Sequence, residues 1–342
     1  MTSGESFAIA VAERAAASLA RRPTQAGVFA VGPFGFRLKG PAGRSDDWLG
    51  RAFLPVPSSW DTGASHDVMV WDGTEPGDLP PRVPWEPTAP EPLGFVASHS
   101  SESLRCAIDI HTDSLTVSNF ATGYSYVWYP AIDALPAWAK ASPFRIPLSW
   151  WCNRQGIQVV HGAAVGVDGR AALLVGDGGS GKSTTALACA LAGFDYLGDD
   201  YCAVEPATGK VHMLYRTAKV FAPTLDLLPA LRERVENGDR IASEKGVAFL
   251  DPSNVKLGRS ASLSAILLPR VGDARVPKLY PATRDEVIKA VLPSTIGGLM
   301  GGTAATPRMI LELARSAPAW HLVLAPDMAA VVDAVGARSV AG

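Results

Sequence analysis

Residues 171–184 read AALLVGDGGSGKST, an apolar run followed by a glycine-rich loop and the start of a helical pattern. The part at 176–183 matches G-x-x-x-x-G-K-[ST] between a strand pattern and a helix pattern. Glycines in such a loop let backbone N–H groups converge on phosphate oxygens at the helix N-terminus. We therefore expect Lys182 to neutralise the β- and γ-phosphates of a nucleotide and Ser183 to ligate Mg²⁺. The predicted nucleotide-binding loop comprises Gly176, Asp177, Gly178, Gly179, Ser180, Gly181, Lys182, Ser183 and Thr184.

Two adjacent carboxylates, Asp199 and Asp200, stand 17 residues beyond Lys182. One helix and one short strand fit between Lys182 and the carboxylates, so the pair should lie at the end of the strand beside the phosphate loop. One carboxylate there can hold Mg²⁺, and the other can accept a proton from an incoming hydroxyl group. His161 lies on the strand before the loop strand, and the turn Asp168-Gly169 predicts a hairpin between the two. We therefore expect His161 in the same site.

Three basic residues could bind the γ-phosphate. Arg216 and Lys219 lie in the run 211–221, and Arg270 ends an apolar strand pattern. Cations at strand ends beside a phosphate stabilise the charge that moves during transfer. The alternative for each is an ordinary solvated surface charge.

The two halves of the chain differ in their patterns of apolar and turn residues. These patterns predict a β-rich N-terminal domain over 1–150 and an α/β domain over 151–342. In the first half we expect a helix at 5–20, short strands within 28–40, two strands within 106–120, and an extended proline-rich loop at 72–94. Gly297–Gly302 is predicted to be a flexible lid or a plain loop. The second half is predicted to hold strands at 158–167, 171–175, 194–197, 201–205, 211–221, 247–250, 263–268 and 320–324, and helices at 182–192, 283–292, 307–314 and 326–335.

Composition excludes several classes of function. The net charge is −2, which does not favour nucleic-acid binding, and no apolar run approaches the 18 residues or so of a membrane span. Glu5 and Glu13 interrupt the N-terminal apolar stretch, so we expect no secretory signal and a cytoplasmic protein. The four cysteines lack the spacing of a metal site and are predicted to be buried thiols. The composition leaves open whether the chain forms a homo-oligomer.

The run from His161-Gly162 through GDGGSGKST to Gly198-Asp199-Asp200 resembles the kinase domain of the HPr kinase/phosphorylase family and its HPr-kinase-related paralogues. The resemblance is specific over about 155–205, weaker toward the C-terminus, and does not cover 1–150. It implies the P-loop fold shared with ATP-dependent phosphoenolpyruvate carboxykinase. It also implies that Asp199, close to His161, is the general base for a serine hydroxyl, and that Asp200 helps to bind Mg²⁺.

Thr184 departs from the family, which usually has Glu after the loop serine, and the C-terminal segment that docks HPr is not found. The likeness is greater to paralogues with an extra N-terminal β domain. Some of those belong to peptide natural-product pathways and phosphorylate the precursor of a lasso peptide on a terminal serine.

The resulting expectation is an ATP- and Mg²⁺-dependent kinase that phosphorylates a serine of a peptide or protein selected by the N-terminal domain. Two alternatives stay open at this point. One is a kinase with a small-molecule acceptor, and the other is a nucleotide-binding regulatory module without turnover. The presence of Asp199, Asp200 and His161 favours turnover, because a switch needs only the phosphate loop.

Overall fold

A computed structural model of the chain describes residues 2–42, 49–56, 64–85, 94–299 and 302–340. The chain divides into an N-terminal unit of residues 1–151 with 299–301 and a C-terminal unit of residues 152–298 with 302–342. Both units combine a β-sheet with helices, so the protein belongs to the α/β class. None of the helices in the described ranges combines the length and apolar character that crossing a membrane requires.

The N-terminal unit is built on a six-stranded sheet with the order β1-β2-β3-β6-β5-β4. Helix α1 buries Phe7 and Val11 against the face of the sheet that carries Trp71. The predicted helix at 5–20, the strands within 28–40 and the strand pair within 106–120 are confirmed. The elements are α1 (Ser3–Ala20), β1 (Thr24–Val31), β2 (Phe34–Pro41), β3 (Ala64–Asp72), β4 (Leu104–Asp109), β5 (Ser114–Asn119), β6 (Tyr124–Tyr129), α2 (Ala137–Ala141) and α3 (Arg145–Arg154).

The proline-rich stretch 72–94 begins at the last residue of β3. Residues 73–85 form neither helix nor strand, as predicted, and residues 86–93 lie outside the described part of the chain. Strands β3 and β6 and helices α2 and α3 are elements that the sequence patterns did not predict.

The C-terminal unit is built on an eight-stranded sheet with the order β11-β10-β7-β8-β14-β16-β15, in which β9 also pairs with β7. Strands β8, β14 and β16 run parallel at its centre. The elements are β7 (Gln158–Val167), β8 (Arg170–Val175), α4 (Lys182–Leu191), β9 (Asp195–Gly198), β10 (Tyr201–Glu205), β11 (Lys210–His212), β12 (Thr217–Val220), α5 (Ala222–Leu227), β13 (Gly246–Phe249), β14 (Ser260–Arg270), β15 (Lys278–Pro281), α6 (Arg284–Gly298), α7 (Thr306–Ser316), β16 (Ala319–Val323) and α8 (Met328–Val340).

The sheet of the C-terminal unit is covered by helices on both faces. Alternate residues of β8 point to opposite sides, so Leu173 joins the core under α6 and α7 while Leu174 joins the core under α4 and α8. This burial on both faces explains the continuous apolar run of β8. It also places the carboxyl end of β8 in the middle of the sheet edge, where α/β folds bind ligands.

The hairpin of β7 and β8 is confirmed, with Asp168 at φ +51° and Gly169 at φ +75° in its turn. Two positive φ values at a two-residue turn are typical of a type I′ hairpin. The prediction of one strand over 211–221 is wrong. His212 pairs with Ala203 and Ser260 in the large sheet, whereas Thr217 begins β12, which pairs only with β13 within the described residues.

Helix α6 extends through Pro293 to Gly298, beyond the predicted end at 292. The capping box that starts it is confirmed, since Glu286 N–H donates to Thr283 Oγ1 and Thr283 N–H donates to the Glu286 carboxylate. Gly297 and Gly298 are therefore helical. The rest of the predicted flexible segment includes residues 300–301, which lie outside the described residues.

Candidate active site

The loop at 176–183 joins the end of β8 to the start of α4. Gly181 is the N-cap of α4 with φ +100°, and a Cβ atom at this position would clash with Leu324 Cδ1. Both the left-handed backbone and the close approach of Leu324 require glycine here. The side-chain oxygen of Ser180 is buried in this loop without a hydrogen-bond partner among the described residues. A buried hydroxyl without a partner marks a place where a polar ligand can bind.

Lys182 folds back over the loop that precedes it. Its Nζ donates to the carbonyl oxygens of Gly176 at 2.7 Å and Asp177 at 2.8 Å. Burial lowers the pKa of Lys182, and nearby Asp199 opposes that shift. The ammonium group is therefore held by neutral carbonyl groups, which a phosphate oxygen can replace with a stronger charge-assisted hydrogen bond.

The two carboxylates occupy the bend between β9 and β10. Asp199 is 2% exposed, and its two oxygens accept from Ser183 Oγ at 2.7 Å and from the backbone N–H of Lys219 at 3.0 Å. Burial raises the pKa of Asp199, and the adjacent charge of Asp200 raises it further. Asp199 is thus a carboxylate whose negative charge is poorly stabilised until a cation arrives.

Asp200 faces a different set of partners. It has the left-handed backbone angle φ +66°, and its Oδ2 accepts from Lys219 Nζ at 2.6 Å. Its Oδ1 lies 3.8 Å from His161 Nδ1. Burial alone would raise the pKa of Asp200, but the Lys219 ammonium group and, at pH values where it is protonated, the His161 imidazole hold that pKa below its ordinary value.

His161 lies on β7 opposite Tyr201 of β10, and the two rings meet edge to face at 5.7 Å between centroids. Burial lowers the pKa of His161, and the Asp200 charge opposes that shift. Because the ordinary value of 6.5 is already below neutral pH, the imidazole is uncharged there. A neutral imidazole can either donate or accept a proton next to Asp200.

These contacts are crossed relative to the pairing expected from the resemblance. The resemblance implied that His161 lies close to Asp199 and that Asp200 helps to bind Mg²⁺. In the structure His161 Nδ1 lies 3.8 Å from Asp200 Oδ1, and Ser183 Oγ donates to Asp199 Oδ1. The physical reason is the bend at Asp200, whose positive φ turns consecutive side chains in different directions.

The loop and the carboxylates border one cavity of about 480 Å³. Its volume is within the range of small-molecule sites. The lining combines a polar wall with exposed apolar side chains. It consists of His161, Gly178, Gly179, Gly181, Lys182, Ser183, Thr184, Asp199, Asp200, Lys219, Phe221, Pro223, Thr224, Leu227, Lys245 and Val271.

Of the three basic residues predicted for the γ-phosphate, the structure brings Lys219 to the carboxylates. Arg216 lies between β11 and β12, where its carbonyl accepts from Leu250 N–H, and it is not among the described residues that line the cavity. Arg270 is exposed at the end of β14 and stacks over the Tyr280 ring at 5.6 Å. Its neighbour Val271 is the residue that reaches the cavity.

Sequence reasoning missed the cavity residues carried by α5 and by the loop before β13. Thr224 of α5 is hydrogen-bonded to Thr184 of α4 at 2.9 Å between hydroxyl oxygens, which fixes α5 beside the phosphate loop. Phe221 and Lys245 come from the two ends of the β12–β13 segment. No local motif marks these positions, because only the pairing of β12 with β13 brings them to the loop.

The arrangement suits Mg²⁺ bound between protein and phosphate oxygens. Ser183 Oγ and Asp199 Oδ1 present two oxygen ligands of the hard type that Mg²⁺ prefers. In the described part of the chain, no group of three or more His, Cys, Asp or Glu side chains could hold a metal ion. Mg²⁺ usually binds to one or two protein ligands plus substrate phosphates, so two protein ligands at the loop agree with its usual coordination.

A scan of the chain against protein-family models gives no match, and a search among curated proteins gives none either.

Proposed function

We propose that the C-terminal unit is an ATP- and Mg²⁺-dependent kinase that transfers the γ-phosphate to a hydroxyl group, that of a serine in a peptide or protein. The observation that carries this proposal is the set of contacts around the cavity. Ser183 is paired with Asp199, and His161 and Lys219 are both beside Asp200, at the mouth of a G-x-x-x-x-G-K-S loop. These are the groups that a phosphoryl transfer to a hydroxyl needs: a phosphate cradle, metal ligands, a cation and a base.

Triphosphate binding is assigned to the loop. Backbone N–H groups at the start of α4 and the freed Lys182 ammonium bind the phosphate oxygens. Ser183 and Asp199 are the residues that would hold Mg²⁺, which supplies charge neutralisation of the β- and γ-phosphates. We assign Asp199 rather than Asp200 to this role because its oxygen already lies 2.7 Å from the serine hydroxyl.

Proton acceptance is assigned to Asp200. Its carboxylate lies on the side of His161, and its charge is balanced by Lys219. When Lys219 turns toward the phosphate, the pKa of Asp200 rises and the carboxylate becomes a stronger base. The acceptor hydroxyl then loses its proton to Asp200 as its oxygen bonds to phosphorus, and His161 orients the carboxylate.

The residues that carry the resemblance to HPr-kinase-related proteins support the same proposal, with the P-loop fold of that group. We further propose that the N-terminal unit selects the acceptor, since all residues assigned to nucleotide binding and transfer lie in the C-terminal unit.

The proposal is tested on the full chain by calorimetric titration with MgATP and by following phosphate released or transferred from ATP. Lys182→Ala should weaken MgATP binding by about tenfold to a hundredfold and reduce turnover by about 100- to 1000-fold. The matched control is Lys256→Ala, which removes an exposed lysine paired with Asp195 outside the cavity. A wild-type chain that binds no MgATP, or an unchanged Lys182→Ala variant, would refute the proposal.

A further inference from the structure

Lys245 lies in the cavity without an assigned role. It stands directly before β13 and is half-buried, with its Nζ 4.9 Å from the centroid of the Phe221 ring. Within the described ranges, no carboxylate lies within ion-pair distance of this ammonium group. The positive charge is therefore held over an aromatic ring rather than by an oxygen atom.

The other two lysines of the cavity are held by oxygen atoms. Lys182 Nζ binds two loop carbonyls, and Lys219 Nζ binds the Asp200 carboxylate at 2.6 Å. A cation–π contact at a half-exposed position is weaker than a charge-assisted hydrogen bond to a phosphate oxygen. Lys245 is therefore the lysine that can move to a phosphate at the smallest loss of existing contacts.

The backbone places this ammonium group close to the carboxylates. Lys219 and Phe221 are two residues apart, and Phe221 has the extended angles φ −95° and ψ 161° that continue β12. Side chains two apart on a strand point to the same side, roughly 6–7 Å from each other. Lys245, above the Phe221 ring, and the Lys219–Asp200 pair therefore line the same cavity.

The electrostatics of the site agree with this position. Burial is the largest cause of the lowered pKa of His161 and of Lys182, and the Lys245 charge adds to the lowering of both. The same charge helps to hold down the pKa of Asp200, against burial, after the larger influences of Lys219 and His161. The Lys245 charge thus affects the pKa of residues on the phosphate loop and of residues beside the carboxylates, as expected for an ammonium group that lies in the cavity between them.

We propose that Lys245 is a catalytic residue that leaves the Phe221 ring to bind the γ-phosphate during transfer, and that Phe221 positions it before the nucleotide arrives. This inference rests on the proposed kinase function. In the transfer, the acceptor oxygen forms its bond to phosphorus while the bond from phosphorus to the bridging oxygen of ADP breaks. The hydroxyl proton goes to Asp200, and Lys245 stays protonated and balances the charge on the γ-phosphate oxygens.

The test compares two ligands that differ in the γ-phosphate. MgADP and the magnesium complex of the non-hydrolysable imido analogue of ATP are titrated into the full chain by calorimetry. Lys245→Ala should weaken binding of the triphosphate analogue by about tenfold to a hundredfold and leave MgADP binding within twofold. Lys245→Arg should recover most of the lost affinity, and Lys289→Ala, on the exposed face of α6, is the matched control.

A second readout concerns Phe221. Phe221→Leu keeps an apolar side chain but removes the ring, so it should lower the rate of phosphate release and leave MgADP affinity unchanged. If Lys245→Ala loses affinity for both nucleotides equally, or for neither, the proposed role of Lys245 is refuted and the kinase proposal is not. Failure of the wild-type chain to bind either nucleotide would refute the kinase proposal as well, so the two failures are distinguishable.

Discussion

Buried carboxylates in the N-terminal unit are held by arginine, whereas those of the C-terminal site are held by lysine, serine and histidine. Asp72 and Asp78 are fully buried against Arg22, and Asp78 also meets Arg21. Asp109, 3% exposed, is paired with Arg145. Asp199 and Asp200 instead accept from a hydroxyl, a backbone N–H and one ammonium group.

The difference separates a structural ion pair from a reactive one. The planar guanidinium holds a carboxylate through several donors at once and stays charged, while a lysine ammonium is a single mobile charge on a flexible stem. The space around the groups differs accordingly. The cavity beside Asp109 and Arg145 has about 20 Å³, little more than one water molecule needs, compared with about 480 Å³ beside Asp199 and Asp200. Polar groups thus stabilise the fold in one unit and remain available to a ligand in the other.

The largest effect is expected from breaking the Asp78 cluster. Asp78→Ala leaves Arg22 half-buried without one of its partners, so the free energy of unfolding should fall by about 3–5 kcal/mol. Urea denaturation followed by tryptophan fluorescence measures this loss, because Trp71 Nε1 donates to the Asp78 carbonyl. MgATP affinity of the folded protein should stay unchanged. A loss below about 1 kcal/mol would contradict the structural role given to the cluster.

An intermediate effect, of opposite sign at two neighbouring positions, is expected within the acid pair. Asp199 has a raised pKa, so its negative charge destabilises the folded protein at pH values above the ordinary pKa of 3.8. Asp199→Asn should therefore stabilise the protein at neutral pH by about 1 kcal/mol. Asp200 has a lowered pKa, so its charge stabilises the fold there. Asp200→Asn should therefore destabilise it by about 2 kcal/mol, because it removes the charge that binds Lys219 Nζ at 2.6 Å.

The pH dependence of these two differences provides the control. Both should be fully developed at neutral pH. The Asp199→Asn difference should shrink as the pH falls toward 3.8, because the raised pKa lets Asp199 take up its proton in the folded protein above that pH. The Asp200→Asn difference should persist to about 3.8 and be lost only below it, because the folded-state pKa of Asp200 lies under that value. Thermal melting of both variants and the wild type across this range measures the effect. Equal signs for the two variants at neutral pH would show that the two carboxylates do not differ as described.

The smallest effect is expected from an exposed pair. Arg232 and Asp226 form an ion pair in which the side chains are 54% and 72% exposed. Arg232→Ala should change the free energy of unfolding by less than about 1 kcal/mol, and added salt should reduce even that difference. Comparison of this variant with Asp78→Ala under the same urea conditions isolates the effect of burial on an arginine–aspartate pair.

Local patterns predicted the central part of the C-terminal unit well. The β7–β8 hairpin, the loop and α4 follow from a turn with positive φ angles, an apolar run and a helical period, all within about 35 residues. The same patterns failed at 211–221, where an apolar run belongs to two sheets, and at β6 and α3, whose aromatic residues fit several structures.

The sequence by itself determined that a glycine-rich loop precedes a helix, that Lys182 and Ser183 lie at its start, and that two carboxylates follow nearby. These features depend on neighbours along the chain, whose backbone preferences act over a few residues. Only the tertiary structure decided that Asp199 meets Ser183, that Asp200 meets His161 and Lys219, and that Lys245 reaches the same cavity. The reason is that a single left-handed residue sets the directions of the two carboxylates, and that strand pairing brings Lys245 across 63 residues of chain from Lys182.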